Sequence, residues 1–143
     1  MNVVPEDIPF AAPLVAVDRV HVTETEGGVA LRAWKLIDDA DPYLAAHFPG
    51  FTIFPGVFMI ESLRQAVALG LGAGTAGVAD VVAVRSARFL NPLLAGDTMT
   101  VDALVATADA SGSFAVDATC RRGDGEVAAR LSVEMRYGGP ADA

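Results

Sequence analysis

The stretch from His47 to Gln65 limits how this chain can fold more than any other. It carries two Pro-Gly steps, Pro49-Gly50 and Pro55-Gly56, ahead of a long apolar run. Proline removes a backbone donor and pushes the residue before it into an extended conformation, so residues 47–56 read as loop. After Gly56 the period changes. Val57, Phe58, Ile60, Leu63, Ala66, Val67, Ala68, Leu69 and Leu71 suit a mostly buried helix over residues 57–71. Gly56 then stands at the helix mouth, where N–H groups lack intrahelical partners and the macrodipole favours negative charge. Glu61 lies just over one turn into the helix. A carboxylate in apolar company needs a partner or a proton.

The flanking chain reads as strands. Residues 14–23 alternate, Gly27-Gly28 marks a turn, and residues 29–36 make a second strand. Four more are expected over 81–90, 98–107, 114–122 and 126–137, with Gly96-Asp97, Ser111-Gly112 and Gly123-Asp124-Gly125 at their connections. Strands around one apolar helix predict an α+β, antiparallel architecture in a single domain over 1–143. Residues 1–13, with three prolines, read as a loose lead-in with at most one helical turn, and 138–143 as a disordered tail. Gly72-Ala73-Gly74-Thr75-Ala76-Gly77 matches GxGxxG. A dinucleotide fingerprint follows a strand and opens a helix, whereas this one follows a helix, so its glycines read as a helix end and connection.

Composition narrows the function classes. Net charge is −8, with Lys35 as the one lysine beside nine arginines, which argues against a nucleic-acid partner. The lone Cys120 excludes an intramolecular disulfide and a cysteine metal cluster, and its place in an alternating run suits a small core residue. Asp38, Asp39 and Asp41 lack the ligand spacing of a calcium loop and read as solvated charge, so no metal site is expected. His21 reads as a strand-face residue. The acidic, proline-broken start resembles no signal peptide and no run is long enough to span a bilayer, so a cytoplasmic protein without membrane contact is expected. Mean hydropathy of +0.42 and 52% hydrophobic residues suggest surface buried between subunits, although Ala and Gly inflate the count.

The pattern His47-Phe48-Pro49-Gly50, then Pro55-Gly56-Val57, then Glu61 and Gln65, closely resembles the 3-hydroxyacyl-[acyl carrier protein] dehydratases. Val17-Asp18-Arg19-Val20 resembles that family's first strand. Arg88-Phe89, Pro92 and Gly96-Asp97 resemble its second signature. The resemblance implies the hot-dog fold, a long helix wrapped by an antiparallel sheet, pairing as a double hot-dog dimer. It also implies an acyl carrier protein as partner, no cofactor beyond the carrier's phosphopantetheine, and an active site taking His47 and Glu61 from opposite subunits.

Dehydrating a 3-hydroxyacyl thioester requires a base for the proton beside the carbonyl, an acid for the hydroxyl and a donor for the thioester oxygen. His47 suits the first because its ordinary pKa lies near neutrality. Glu61, protonated in an apolar site, suits the second, and the Gly56 N–H suits the third. Phe54, Phe58, Phe89 and Leu90 are candidates for an acyl tunnel, with ordinary core packing as the alternative. Arg88, with Arg85, Arg121 and Arg122, is a candidate for carrier or phosphopantetheine contact. Gln65 either bonds near the glutamate or the dimer seam, or faces solvent. Singly, His47 could be satisfied by backbone and Glu61 paired with Arg64 or Arg88; their joint spacing with both Pro-Gly steps favours chemistry.

Some positions depart from the family. Ala46 replaces a glycine, Thr52 a proline, and Phe10-Ala11-Ala12-Pro13 the stretch whose tyrosine gates the tunnel. Leu90-Asn91 replaces a basic pair. These changes point toward a specialised relative in a polyketide or polyene pathway as well as toward fatty acid synthesis. The competing functions are a hot-dog acyl thioesterase, in which the carboxylate activates water or attacks the thioester, and a non-catalytic subunit of a heterodimer with a hot-dog paralogue.

Overall fold

A computed structural model describes residues 2–3, 15–38, 53–72 and 78–138. The elements are β1 (Asn2–Val3), β2 (Arg19–Thr25), β3 (Gly28–Leu36), α1 (Gly56–Gly70), β4 (Val78–Phe89), β5 (Thr98–Ala106), β6 (Ser113–Arg121) and β7 (Val127–Gly138). The strands form one sheet in the order β1-β2-β3-β5-β6-β7-β4, antiparallel throughout. After β3 the chain leaves the sheet, runs through α1 and returns as β4 at the far edge. β5 then comes back beside β3. That route lays α1 across the face of the sheet.

The helix is buried because of its composition. Gln65, Ala66, Val67, Ala68, Leu69 and Gly70 are consecutive and all buried, which a helix resting on a surface by one stripe cannot achieve. Around it, β5 alternates Met99, Val101, Ala103 and Val105 inward, and β7 alternates Leu131, Val133 and Met135. Period two puts each set on one face. Register shifts at Val81/Ala83, Val84/Ser86 and Cys120/Arg121 are irregularities of the kind that bend strands and curl a sheet. This is the hot-dog arrangement.

One expectation needs correction. The first long strand begins at Arg19, not residue 14, because the Ala16 N–H is drawn off the ladder to the Gln65 side-chain oxygen at 2.9 Å. Of the lead-in only residues 2–3 are described, and Asn2 and Val3 pair with His21 and Val20; the expected helical turn falls outside the described residues. The other boundaries shift by a few residues at most. Gly28 has φ +150°, and a Cβ there would lie 1.9 Å from the Val105 carbonyl oxygen, so that turn demands glycine. The helix ends at Gly70, Gly72 lies in the turn after it with φ +75°, and Val78 opens β4, so the glycine run lies between a helix and a strand, the wrong order for a dinucleotide turn. Its residues 73–77 are outside the described residues, as are the acidic loop beyond Asp38 and residues 139–143 of the expected tail, whose first residue, Gly138, ends β7.

Candidate active site

Two anchored segments meet at the start of α1. The Phe54 N–H donates to the Leu93 carbonyl at 2.8 Å, and Ile53 bridges Leu94. On the other wall, the Leu90 and Asn91 N–H groups both donate to the Ala128 carbonyl at 2.8 and 3.2 Å. The Asn91 side chain donates to the Val127 carbonyl at 2.7 Å. Between these walls Pro55, in extended conformation, caps the helix without a side-chain hydrogen bond, and its first turn holds no acidic residue. The Gly56 N–H has no acceptor among the described residues. An uncapped helix start of this kind attracts negative charge.

Over it lies a groove of about 620 Å³, lined by Phe54, Pro55, Gly56, Val57, Phe89 and Leu90 among others. Phe89 and Leu90 are half exposed and Phe54 is buried. Phe58 does not line the groove; its ring packs edge-on against Phe54 at 5.6 Å. Arg88 does not line it either. Side chains alternate along a strand, so with Phe89 over Gly56, Arg88 stands on the outer face beside its exposed pairing partner Arg130. Arg85 is paired with Glu134 and Arg122 with Asp124. Arg121 donates to the Gly125 carbonyl. A hollow of about 550 Å³ on the outer face, near Asp102, Asp117 and Arg130, holds none of the candidate residues.

Glu61 is half-buried on α1, and its surroundings differ from the expected apolar ones. Arg64 Nε donates to Oε1 at 2.7 Å and Arg64 Nη2 to Oε2 at 2.7 Å, a two-pronged ion pair. Gln65 Nε2 adds a third bond to Oε2 at 2.8 Å. Burial raises the carboxyl pKa, but the hydrogen bonds from Arg64 and Gln65 and the Arg64 charge outweigh it, holding the group below its ordinary range. Glu61 in this state is therefore ionised rather than protonated. The cause is helical: residues three apart share a face, and a guanidinium fork matches a carboxylate.

Gln65 is fully buried, with its oxygen taken by the Ala16 N–H and its amide by Glu61, so it does not face solvent. The Glu61–Arg64 pair is the alternative already named from the sequence, whereas Asp80 on β4, whose Oδ1 lies 3.9 Å from Arg64 Nη1, was missed. Helical spacing signals Arg64; nothing local signals Asp80. His47 lies outside the described residues. No cluster of three or more metal-ligating side chains occurs among the described residues, and no described helix is long and apolar enough to cross a membrane. Buried Cys120 is a core residue, its thiol pushed up to about 12 by burial and then by the Asp102 charge.

A family described as a FabA-like domain matches residues 8–132. The chain is 32% identical over 126 residues to a 3-hydroxyacyl-[acyl-carrier-protein] dehydratase FabZ from Nitrosomonas europaea, covering 84% of this chain and 80% of that one. It is 35% identical over 132 residues to the FabZ of Polynucleobacter necessarius, covering 88% and 84%. Among solved structures, the dehydratase heterocomplex ApeI:P from Xenorhabdus doucetiae matches with TM-score 0.71 at 15% identity, covering 94% of this chain and 90% of that one.

Proposed function

We infer that this chain, which belongs to the FabA-like domain family, is a 3-hydroxyacyl-[acyl carrier protein] dehydratase. It eliminates water from carrier-bound 3-hydroxyacyl thioesters to give 2-enoyl thioesters, a step common to fatty acid and polyketide assembly. The observation that carries the reading is Glu61, oriented by three hydrogen bonds on a helix whose uncapped start opens under an apolar groove.

In this reading His47 takes the proton beside the thioester carbonyl. The electron pair forms the new double bond, and the hydroxyl leaves as water with a proton from Glu61. The Gly56 N–H receives the charge that develops on the thioester oxygen; one such donor is worth about 2.7–4 kcal/mol. Phe54, Phe89 and Leu90 hold the acyl chain near the thioester. The reaction needs no metal or organic cofactor, and the substrate arrives on the phosphopantetheine arm of an acyl carrier protein.

The site is shared between two chains, His47 from one and Glu61 from the other. What supports pairing is β4. Among the described residues it is an edge strand, with Val82 and Val84 half exposed, and Val57 stands 64% exposed near the groove. An unpaired apolar edge of this length is a template for a second strand. The partner is a second copy or a hot-dog paralogue.

The direct test incubates the protein, with and without candidate paralogues, with a 3-hydroxyacyl carrier protein and follows intact mass. Loss of one water is the expected result. Loss of the acyl group would make the protein a thioesterase, and an unchanged mass under every pairing would make it a non-catalytic subunit.

A further inference from the structure

The pair that holds Glu61 poses a problem for the reaction, and this inference rests on the dehydratase reading. An acid must carry a proton before it can give one, yet Arg64 and Gln65 donate three bonds to the Glu61 carboxylate. A carboxylate offers about four lone-pair positions, so one, on Oε1, remains. With Arg64 in place, that position accepts a hydrogen bond but has no proton to give. This charge state is the one Glu61 reaches after it has protonated the departing hydroxyl.

Arg64 has a second carboxylate in reach. Its Nη1 lies 3.9 Å from Asp80 Oδ1 and 3.5 Å from the Ala79 carbonyl. Closing Nη1 on Asp80 takes about 1 Å of movement, and a further swing of the guanidinium toward Asp80 withdraws Nε and Nη2 from Glu61. The other strands packed on α1 offer no rival charge among the described residues. β5 turns apolar side chains inward, β2 turns in Val20 and Val22, and the inward charge of β3, Lys35, is paired with Asp18.

We propose that Arg64 is a positioning residue shared between Glu61 on α1 and Asp80 on β4, and that its share on Asp80 sets how readily Glu61 takes up the proton it donates. With Arg64 on Glu61, the carboxylate is aimed and ionised. With Arg64 on Asp80, Glu61 keeps only the Gln65 amide in a half-buried site, and burial then favours the protonated form. The proton enters from solvent, leaves with the substrate hydroxyl as water, and Arg64 returns to the new carboxylate. Because β4 is an edge strand, whatever pairs with it touches the element that carries Asp80.

The test reads Glu61 directly. The protein is labelled with ¹³C at the glutamate side-chain carboxyl, the Glu61 signal is assigned by its loss in Glu61→Gln, and its titration is followed in Arg64→Gln, Arg64→Lys and Asp80→Asn. Arg64→Gln moves the titration up, Arg64→Lys restores most of the wild-type position, and Asp80→Asn moves it down by removing the carboxylate that competes with Glu61 for Arg64. In turnover, the pH profile of kcat shifts in the same directions while KM changes little. The proposal is overturned if Glu61 titrates alike in wild type and Arg64→Gln, or if Asp80→Asn leaves it unmoved. Should Arg64→Gln fail to fold, Asp80→Asn decides, since Asp80 is 63% exposed. The titration needs no turnover, so a protein that fails to dehydrate its substrate yet shows these shifts sinks the functional reading and leaves the charge sharing standing.

Discussion

The ring of Phe89 lies so close over Gly56 that a Cβ on the glycine would sit 2.9 Å from two of its carbons. The end of β4 and the first residue of α1 are in contact because one of them lacks a side chain. Gly56→Ala should therefore force the ring aside. Overpacking costs about 1–3 kcal/mol, and the half-exposed ring can give way, which puts this case at the low end. Phe89→Ala in the same background should recover most of the loss. A double-mutant cycle on unfolding free energies measures the coupling, and strict additivity would show that the two residues do not touch.

His47→Ala and Glu61→Gln should each lower turnover by about 10²–10⁴-fold while circular dichroism shows an intact fold. If each site takes one residue from each chain, a heterodimer of the two variants has one doubly damaged site and one intact site. Activity should then return, to at most half of wild type per heterodimer. With exchange verified by native mass spectrometry, a silent mixture rules out the shared site.

Leu90 is 47% exposed in the groove, so Leu90→Ala should change stability by no more than about 0.5 kcal/mol. It should nevertheless alter which chain lengths are dehydrated fastest. Parallel kcat/KM series on short and long 3-hydroxyacyl carriers check this; a uniform loss would assign Leu90 to packing.

The Glu61–Arg64 pair makes stability depend on pH. The carboxyl is held below its ordinary range when folded, so the folded state binds its proton less tightly than the unfolded state does. The stabilisation is fully present above the ordinary carboxylate range and is lost as pH falls through the lowered value. Charged hydrogen bonds of this kind contribute about 1.5–3 kcal/mol. Wild type should exceed Glu61→Gln in urea stability at neutral pH, and the gap should shrink in acid. A gap that widened in acid would contradict the ion pair.

Cys120 should be inert in the folded protein. Fully buried, with its thiol pushed up to about 12, it should resist alkylation at pH 8 until denaturant is added. Rapid labelling of the native protein would place it at the surface.

Much of this architecture is local and so can be read from the chain. Pro55-Gly56 begins the helix because proline cannot follow a helical turn there and glycine costs little at its mouth. Met99, Val101, Ala103 and Val105 mark one strand face because side chains alternate with period two. The pairing of Glu61 with Arg64 is also within reach, being one helical turn, but its strength is not. Whether Arg64 turns to Glu61 or to solvent depends on what stands behind it.

Local pattern is enough for the helix, most of the long strands and the motif that places Glu61 and Gln65 one turn apart. The state of that glutamate depends on contacts made across the fold. Gln65 is held by the Ala16 N–H, far away in the chain, and Arg64 is backed by Ala79 and Asp80 from the edge strand. Arg88 and Phe89 are likewise neighbours in sequence, but the sheet turns one outward and the other over the helix. Periodicity reports contacts a few residues apart. The charge on a half-buried carboxylate is a sum over neighbours that only the fold brings together.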